Sequence, residues 1–288
     1  DSVCAEDIAV NGDFLYLADG PGGLKVIDIS DKSNPVIVKE IPTLYAIRVY
    51  IQGQFIYLCD CSYGYKVFSI ADPSNPIMTW SEDTKYANCM AFFDKYLYLG
   101  DYWGGFRVYD LSDPAHPSFV RLKEYYRVRD LAIQSNKLLV SDTAYGLIIY
   151  DLDDPANPAW AYSKAGPIRN YRDVEGLGDY VLIARNDSGS RINLFDIQNI
   201  RTIGLPIEFF STRFIEALSV SEDTLMVACG EAGVFGYGLT GIPSLEKLWQ
   251  ADTPGYARMA KWYGNYLYVA DMSGVCIYEM IKKSGDAI

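Results

Sequence analysis

Apolar and polar positions alternate along most of this chain with a period near two, in short bursts separated by turn residues. Phe14–Ala18 (FLYLA) and Leu24–Asp28 (LKVID) are two such bursts, joined by Asp-Gly-Pro-Gly-Gly. The stretch 15–35 that holds them recurs at 56–76 (IYLCDCSYGYKVFSIADPSNP), 97–117 (LYLGDYWGGFRVYDLSDPAHP) and 138–158 (LLVSDTAYGLIIYDLDDPANP), each 41 residues on. Weaker copies follow at 181–197, 225–239 and 267–280. The residue closing the first burst marks each copy: Asp19, Asp60, Asp101, Asp142, Arg185, Cys229 and Asp271, in steps of 41, 41, 41, 43, 44 and 42. These are seven units, and a period of this length has to be read as a structural repeat before anything else.

Each unit predicts four strands. The first lies around Glu6–Val10, Ile47–Ile51, Asn88–Phe92, Arg129–Ile133, Arg172–Glu175, Glu216–Val220 and Arg258–Trp262. The LYLAD-type and KVIDI-type segments follow as a hairpin, with Gly23, Gly64, Gly105, Gly146, Gly233 and Gly274 where the turn asks for positive φ. The D-P-x-N-P element ends the third strand, because proline has no amide hydrogen for a ladder, and a more irregular fourth strand comes after it. No helix is predicted. Four antiparallel strands repeated seven times point to an all-β, seven-bladed β-propeller. The chain 1–288 reads as one domain, with units at about 1–41, 42–82, 83–123, 124–166, 167–211, 212–252 and 253–288. The terminal units are as apolar as the middle ones, so a closed ring is favoured over a solenoid with polar caps. The seventh unit shows no clear fourth strand, since Ile281–Ile288 is a poor candidate. That blade either keeps three strands or takes its fourth from upstream of Asp1.

Composition narrows the partners. The net charge is −12, spread without blocks, which disfavours nucleic acid. No apolar run is long enough to span a bilayer. The chain opens on DSVCAED, which is not a leader, so a leader was either never made or has been removed. The six cysteines (4, 59, 61, 89, 229, 276) have neither zinc spacing nor a disulfide framework and read as buried free thiols, with a Cys4–Cys61 bridge as the minor alternative.

The units GLKVIDISDKSNP, GFRVYDLSDPAHP and GLIIYDLDDPANP resemble the LVIVD repeat of bacterial and archaeal surface proteins, and PGYARMAKWYGNYLYVAD (254–271) is similar to that repeat's opening. The resemblance spans nearly the whole chain and is degraded in units five and six. It implies a propeller that is exported or displayed at the cell envelope, with a lipid anchor expected upstream of Asp1, and it carries over no catalytic residues. WD-type signatures and sialidase aspartate boxes are absent.

Candidate chemistry is sparse. The repeated aspartates precede tight turns and read as acceptors for backbone amides. His116 stands where other units have Asn34, Asn75 and Asn157, so it is a turn residue; with no second histidine, histidine-based triads and metal sites have no basis. No cofactor or metal is expected. Two features belong to single units. On the face that collects the hairpin turns and the approaches to first strands, Tyr63, Tyr102, Trp103 and Tyr145 suit sugar stacking or a protein contact. Tyr45, Tyr86, Tyr125, Tyr126 and Tyr256 near the first strands read instead as packing between blades. The innermost strands carry Glu6-Asp7, Arg48, Asn88, Arg129-Asp130, Arg172-Asp173, Glu216 and Arg258, which either clamp blades together or hold a polar ligand. The expected function is a non-catalytic binding or scaffold module recognising a glycan or protein through the aromatic loop face. Two alternatives stand beside it: a polysaccharide hydrolase or lyase with a carboxylate, arginine and tyrosine site at the channel mouth, and an architectural spacer.

Overall fold

A computed structural model describes residues 4–124, 127–164, 171–186, 189–198, 207–211, 214–242 and 244–280. Its 27 strands form seven antiparallel sheets, six of four strands and one of three, each ordered as the chain runs. The first strand of each sheet is innermost: Asp7–Asn11, Arg48–Gln52, Ala87–Phe93, Val128–Gln134, Tyr171–Leu177, Ala217–Ser221 and Ala257–Tyr263. This is the seven-bladed propeller that the period predicts. The seventh sheet ends at Gly274–Glu279 among the described residues, and Ile281–Ile288 lies outside them.

Why the sheets stand in a ring is visible in the core. Apolar side chains cluster at the seams, each cluster drawing on neighbouring blades. Tyr16, Ala18 and Val26 of blade 1 meet Val49, Leu58 and Phe68 of blade 2. Five further clusters fill the seams from blade 2 round to blade 7, and the last also takes in Ile8, Leu15 and Leu17 of blade 1. A single blade would leave both faces wet, so each shelters its neighbours.

The repeated residues do structural work. Asp19, Asp60, Asp101, Asp142 and Asp271 are fully buried. Each accepts a backbone amide from the approach to a first strand: Cys4 N to Asp19 (2.9 Å), Tyr45 N to Asp60 (2.7 Å), Lys85 N to Asp101 (2.9 Å), Arg127 N to Asp142, and Gly255 N to Asp271 (2.8 Å). Blade 5 has arginine at the marker position; the next residue, Asn186, ties instead to the approach of blade 6, accepting from Ile215 N at 3.0 Å and donating to its carbonyl at 2.8 Å. Gly64 and Gly105 have φ of 73° and 85°, and a Cβ on either would lie within 2 Å of a carbonyl of the fourth strand (1.8 Å from Glu82 O, 1.9 Å from Lys123 O). Only glycine fits there. His116 closes its turn on Asp113, through its amide (3.1 Å) and its ring (2.9 Å), as its sequence position predicts. The proline turns also join blades: Tyr16, Tyr57 and Tyr98 donate to the carbonyls of Pro73, Pro114 and Pro155, each one blade on.

Candidate functional site

The channel is built by counting. One residue from the same repeat position, within one residue of the start of each innermost strand, forms a ring at the mouth: Glu6, Ile47, Asn88, Arg129, Arg172, Glu216 and Arg258. With Arg48 and Tyr86 they enclose a cavity of about 130 Å³. Arg48 also faces a deeper chamber of about 320 Å³, lined in part by Asp7, Tyr50, Asp130, Asp173, Glu175 and Lys261.

Most polar groups of the innermost strands tie one blade to the next, and every seam has a side chain bonded to the neighbouring strand's backbone. Asp7 accepts from Val49 N (3.0 Å), Tyr50 OH from Met90 N (3.1 Å), Asp130 from Val174 N (3.0 Å) and Asp173 from Leu218 N (2.5 Å). Asn88 donates to the carbonyl of Arg129, Ser219 to that of Ala260 (2.7 Å), and Lys261 closes the ring on Ile8 O (2.7 Å). The sequence reading found Asp7, Asn88, Asp130 and Asp173 but missed Tyr50, Ser219 and Lys261. These sit two residues deeper, where period two returns the side chain to the channel.

At the mouth the ring divides. Arg258 bonds Glu6 (Nη2–Oε2, 2.6 Å) and Glu216 (Nη1–Oε2, 2.8 Å), Arg172 pairs with Glu216, and Tyr256 donates to Glu216 at 2.8 Å. This chain of charges neutralises itself across blades 5, 6, 7 and 1. Arg129 of blade 4 is different. Among the described residues its guanidinium has no carboxylate partner and no hydrogen bond; it lies over the Tyr102 ring, 5.4 Å from the centroid. Burial, then the positive charge of Arg172, holds its pKa below the ordinary arginine value. It stays protonated nonetheless.

Aromatic rings gather around it. Tyr102 packs edge-on to Trp103 (4.6 Å between centroids) and against Tyr86 (5.9 Å), while Arg127 lies over Trp103 at 5.2 Å. Trp103 is 54% exposed. Tyr63 and Tyr145 occupy the equivalent turns of blades 2 and 4 and are about half exposed. Tyr86 and Tyr256, read from the sequence as packing between blades, reach the mouth instead, and Tyr45 stands exposed at the same repeat position. Side chains two residues apart on a strand share a face. Residues 45, 86 and 256 therefore sit one layer above 47, 88 and 258. Arg127 occupies that layer in blade 4 and went unnoticed, although an arginine among tyrosines at an aligned position was the available signal. Tyr125 and Tyr126 lie outside the described residues, as do Asp187 and Ser188 of the 185–191 loop.

In the deeper chamber Asp173 also meets Arg48 (3.5 Å), and Lys261 meets Asp7 (2.8 Å). Glu175 makes no hydrogen bond or ion pair among the described residues. Enclosure by protein, then the charge of Asp173, pushes its carboxyl up to about 8, and burial with Asp173 likewise raises Asp130. The described residues contain no group of histidine, cysteine and carboxylate side chains placed to hold a metal. All six cysteines are free, and burial raises the thiols of Cys59 and Cys89.

The model of the LVIVD repeat matches residues 4–43, 45–84, 86–122 and 254–277, which are blades 1, 2, 3 and 7. The chain is an LVIVD-repeat propeller. The match covers about half of the LVIVD chain and passes over blades 4, 5 and 6. No curated protein matches the sequence. Among solved structures it is similar in shape to the WD40 β-propeller domain of Doa1 (TM-score 0.76, 13% identity, 98% of this chain and 94% of that one). It is also similar to Saccharomyces cerevisiae Sqt1 (0.74, 9%, 98% and 97%) and to the Neurospora crassa Pan2 WD40 domain (0.74, 13%, 99% and 90%). At such identities the likeness is one of fold.

Proposed function

We propose that this LVIVD propeller is a non-catalytic binding module whose ligand, a glycan or a protein, docks on the mouth face between blades 3 and 4. One observation carries the reading: Tyr86, Tyr102 and Trp103 converge with Arg127 and Arg129 beside the channel mouth. Rigid aromatic rings with a polar end offer contact area at small entropic cost, and arginine adds directional donors. The mouth carboxylates Glu6 and Glu216 are held by arginines, as clamps are, and the carboxyls with strongly raised pKa among the described residues, Glu175 and Asp130, lie deeper, in the chamber beyond Arg48. This favours binding over the hydrolase or lyase reading. The same reading places the protein at the cell envelope, which surface labelling of intact cells against lysed cells tests.

Glycan arrays and pull-downs comparing the native chain with Tyr102→Ala/Trp103→Ala test the docking face. The double variant is expected to lose most of the binding. Equal binding by both proteins would remove the aromatic face from the account.

A further inference from the structure

The proposed docking site has an electrostatic asymmetry that selects among ligands. Glu6, Arg258, Glu216 and Arg172 carry two charges of each sign and satisfy one another. The opposite arc holds Ile47, Asn88 and Arg129. There the Asn88 amide is already committed to the backbone carbonyl of Arg129, and the guanidinium of Arg129 has no acceptor among the described residues. Arg129 and Arg172 line the same cavity and Arg172 depresses Arg129's pKa, so two guanidinium groups face one space, and the carboxylate that Arg172 meets, Glu216, belongs to the next blade on, away from Arg129. Arg129 is partly buried, and a cation so placed without a counter-ion carries a desolvation cost, smaller than that of full burial, that falls when an anion arrives. Arg129 also lies over Tyr102, so an anion held there touches an aromatic surface.

We infer, on the reading that this face binds a ligand, that it recognises a sugar bearing a single acidic group. The carboxylate sits between Arg129 and the remaining N–H donors of Arg172, and the ring lies against Tyr86 and Tyr102. Room and charge both argue for one acidic residue rather than a polyanion. The cavity of about 130 Å³ takes one acid group and part of a ring. The chain as a whole carries −12, which repels a densely charged polymer, whereas the cationic mouth acts over a Debye length of about 8 Å at physiological salt. Asn88, its amide nitrogen already used, keeps its carbonyl oxygen to accept from a sugar hydroxyl.

Calorimetric titration with a glucuronic-acid-terminated oligosaccharide and its neutral glucose-terminated counterpart tests this on the native chain, Arg129→Gln and Tyr102→Ala. The acidic sugar is expected to bind the native chain roughly ten- to a hundredfold tighter, the worth of a charged hydrogen-bonded pair. Arg129→Gln should bring that ratio close to one with an unchanged melting temperature, and Tyr102→Ala should weaken both sugars together and keep the ratio. Equal affinity of the native chain for the two sugars, or a preference that survives Arg129→Gln, overturns the inference. So does the absence of binding by either sugar. In those cases the arrays and pull-downs above still report separately whether the aromatic face binds a neutral glycan or a protein.

Discussion

Two arcs of one ring face each other across the channel mouth, built from the same position of the same repeat, with opposite outcomes. In blades 5, 6, 7 and 1 that position holds Arg172, Glu216, Arg258 and Glu6, whose opposite charges meet pairwise. In blades 2, 3 and 4 it holds Ile47, Asn88 and Arg129, and the charge at the end of that arc is left facing an aromatic ring. The saturated arc also spans the join between the first and last blades, where the chain has no covalent continuity. Mutual satisfaction marks a group as part of the scaffold, and an unsatisfied donor beside exposed rings marks a place for something else.

The comparison breaks most easily at its hub. Glu216 receives Arg172, Arg258 and Tyr256 at once. Glu216→Ala leaves the Arg172 guanidinium and the Tyr256 hydroxyl without this acceptor and Arg258 with Glu6 alone. Because both arginines retain about a quarter of their surface in the channel, the expected cost is about 2–4 kcal/mol, less than for a fully buried pair. Urea unfolding of the native chain and the variant measures it. A loss below about 0.5 kcal/mol would mean that the saturated arc contributes nothing to ring closure.

A second effect, of about 2 kcal/mol once the full linkage value is discounted for exposure to channel water, should depend on pH. Folding raises the Glu175 carboxyl to about 8 from an ordinary value of 4.5. The native state therefore keeps a proton that the unfolded chain releases, so Glu175 lowers stability as pH climbs from about 4.5 to about 8, with no further loss above. Glu175→Gln removes that slope. The variant is expected to match the native chain at pH 4 and to be the more stable of the two at pH 8.5, by paired urea titrations. Because Glu175 faces channel water, the full linkage value is an upper bound. Identical pH profiles would show that Glu175 ionises normally inside the channel.

Legibility tracked distance along the chain. The offset of 41 and the two-residue alternation were enough for seven blades, for the five aspartates that anchor approach segments and for six of the seven ring residues, because these follow from counting along one strand; Ile47 was passed over for its polar neighbour Arg48. Which ring members pair was not legible. Arg258 sits 42 residues from Glu216 but 252 from Glu6, and no pattern says that it bonds both. The tyrosines at 86 and 256 were misplaced between blades because alternation alone does not distinguish a seam from a mouth. Only the position of the strand's start relative to the channel decides. In blade 5 the marker is arginine, and Asn186 beside it holds the approach to blade 6 through hydrogen bonds that no motif announces.

The smallest expected effect is the most diagnostic. Replacing Arg129 with methionine removes a charge that burial and Arg172 already oppose, and it severs no ion pair or hydrogen bond among the described residues. Methionine keeps apolar contact with Tyr102 while the stacked cation is lost, an interaction of about 0.5–1 kcal/mol, and relief of an unpaired, partly buried charge offsets it. The net change should lie within about 1 kcal/mol of zero and can favour the variant. Set beside Glu216→Ala in the same urea series, the two numbers state the comparison directly, since one arc is held by its charges and the other merely contains one. If Arg129→Met cost as much as Glu216→Ala, the arginine would belong to the scaffold, and the mouth would have no vacancy for an acid group to fill.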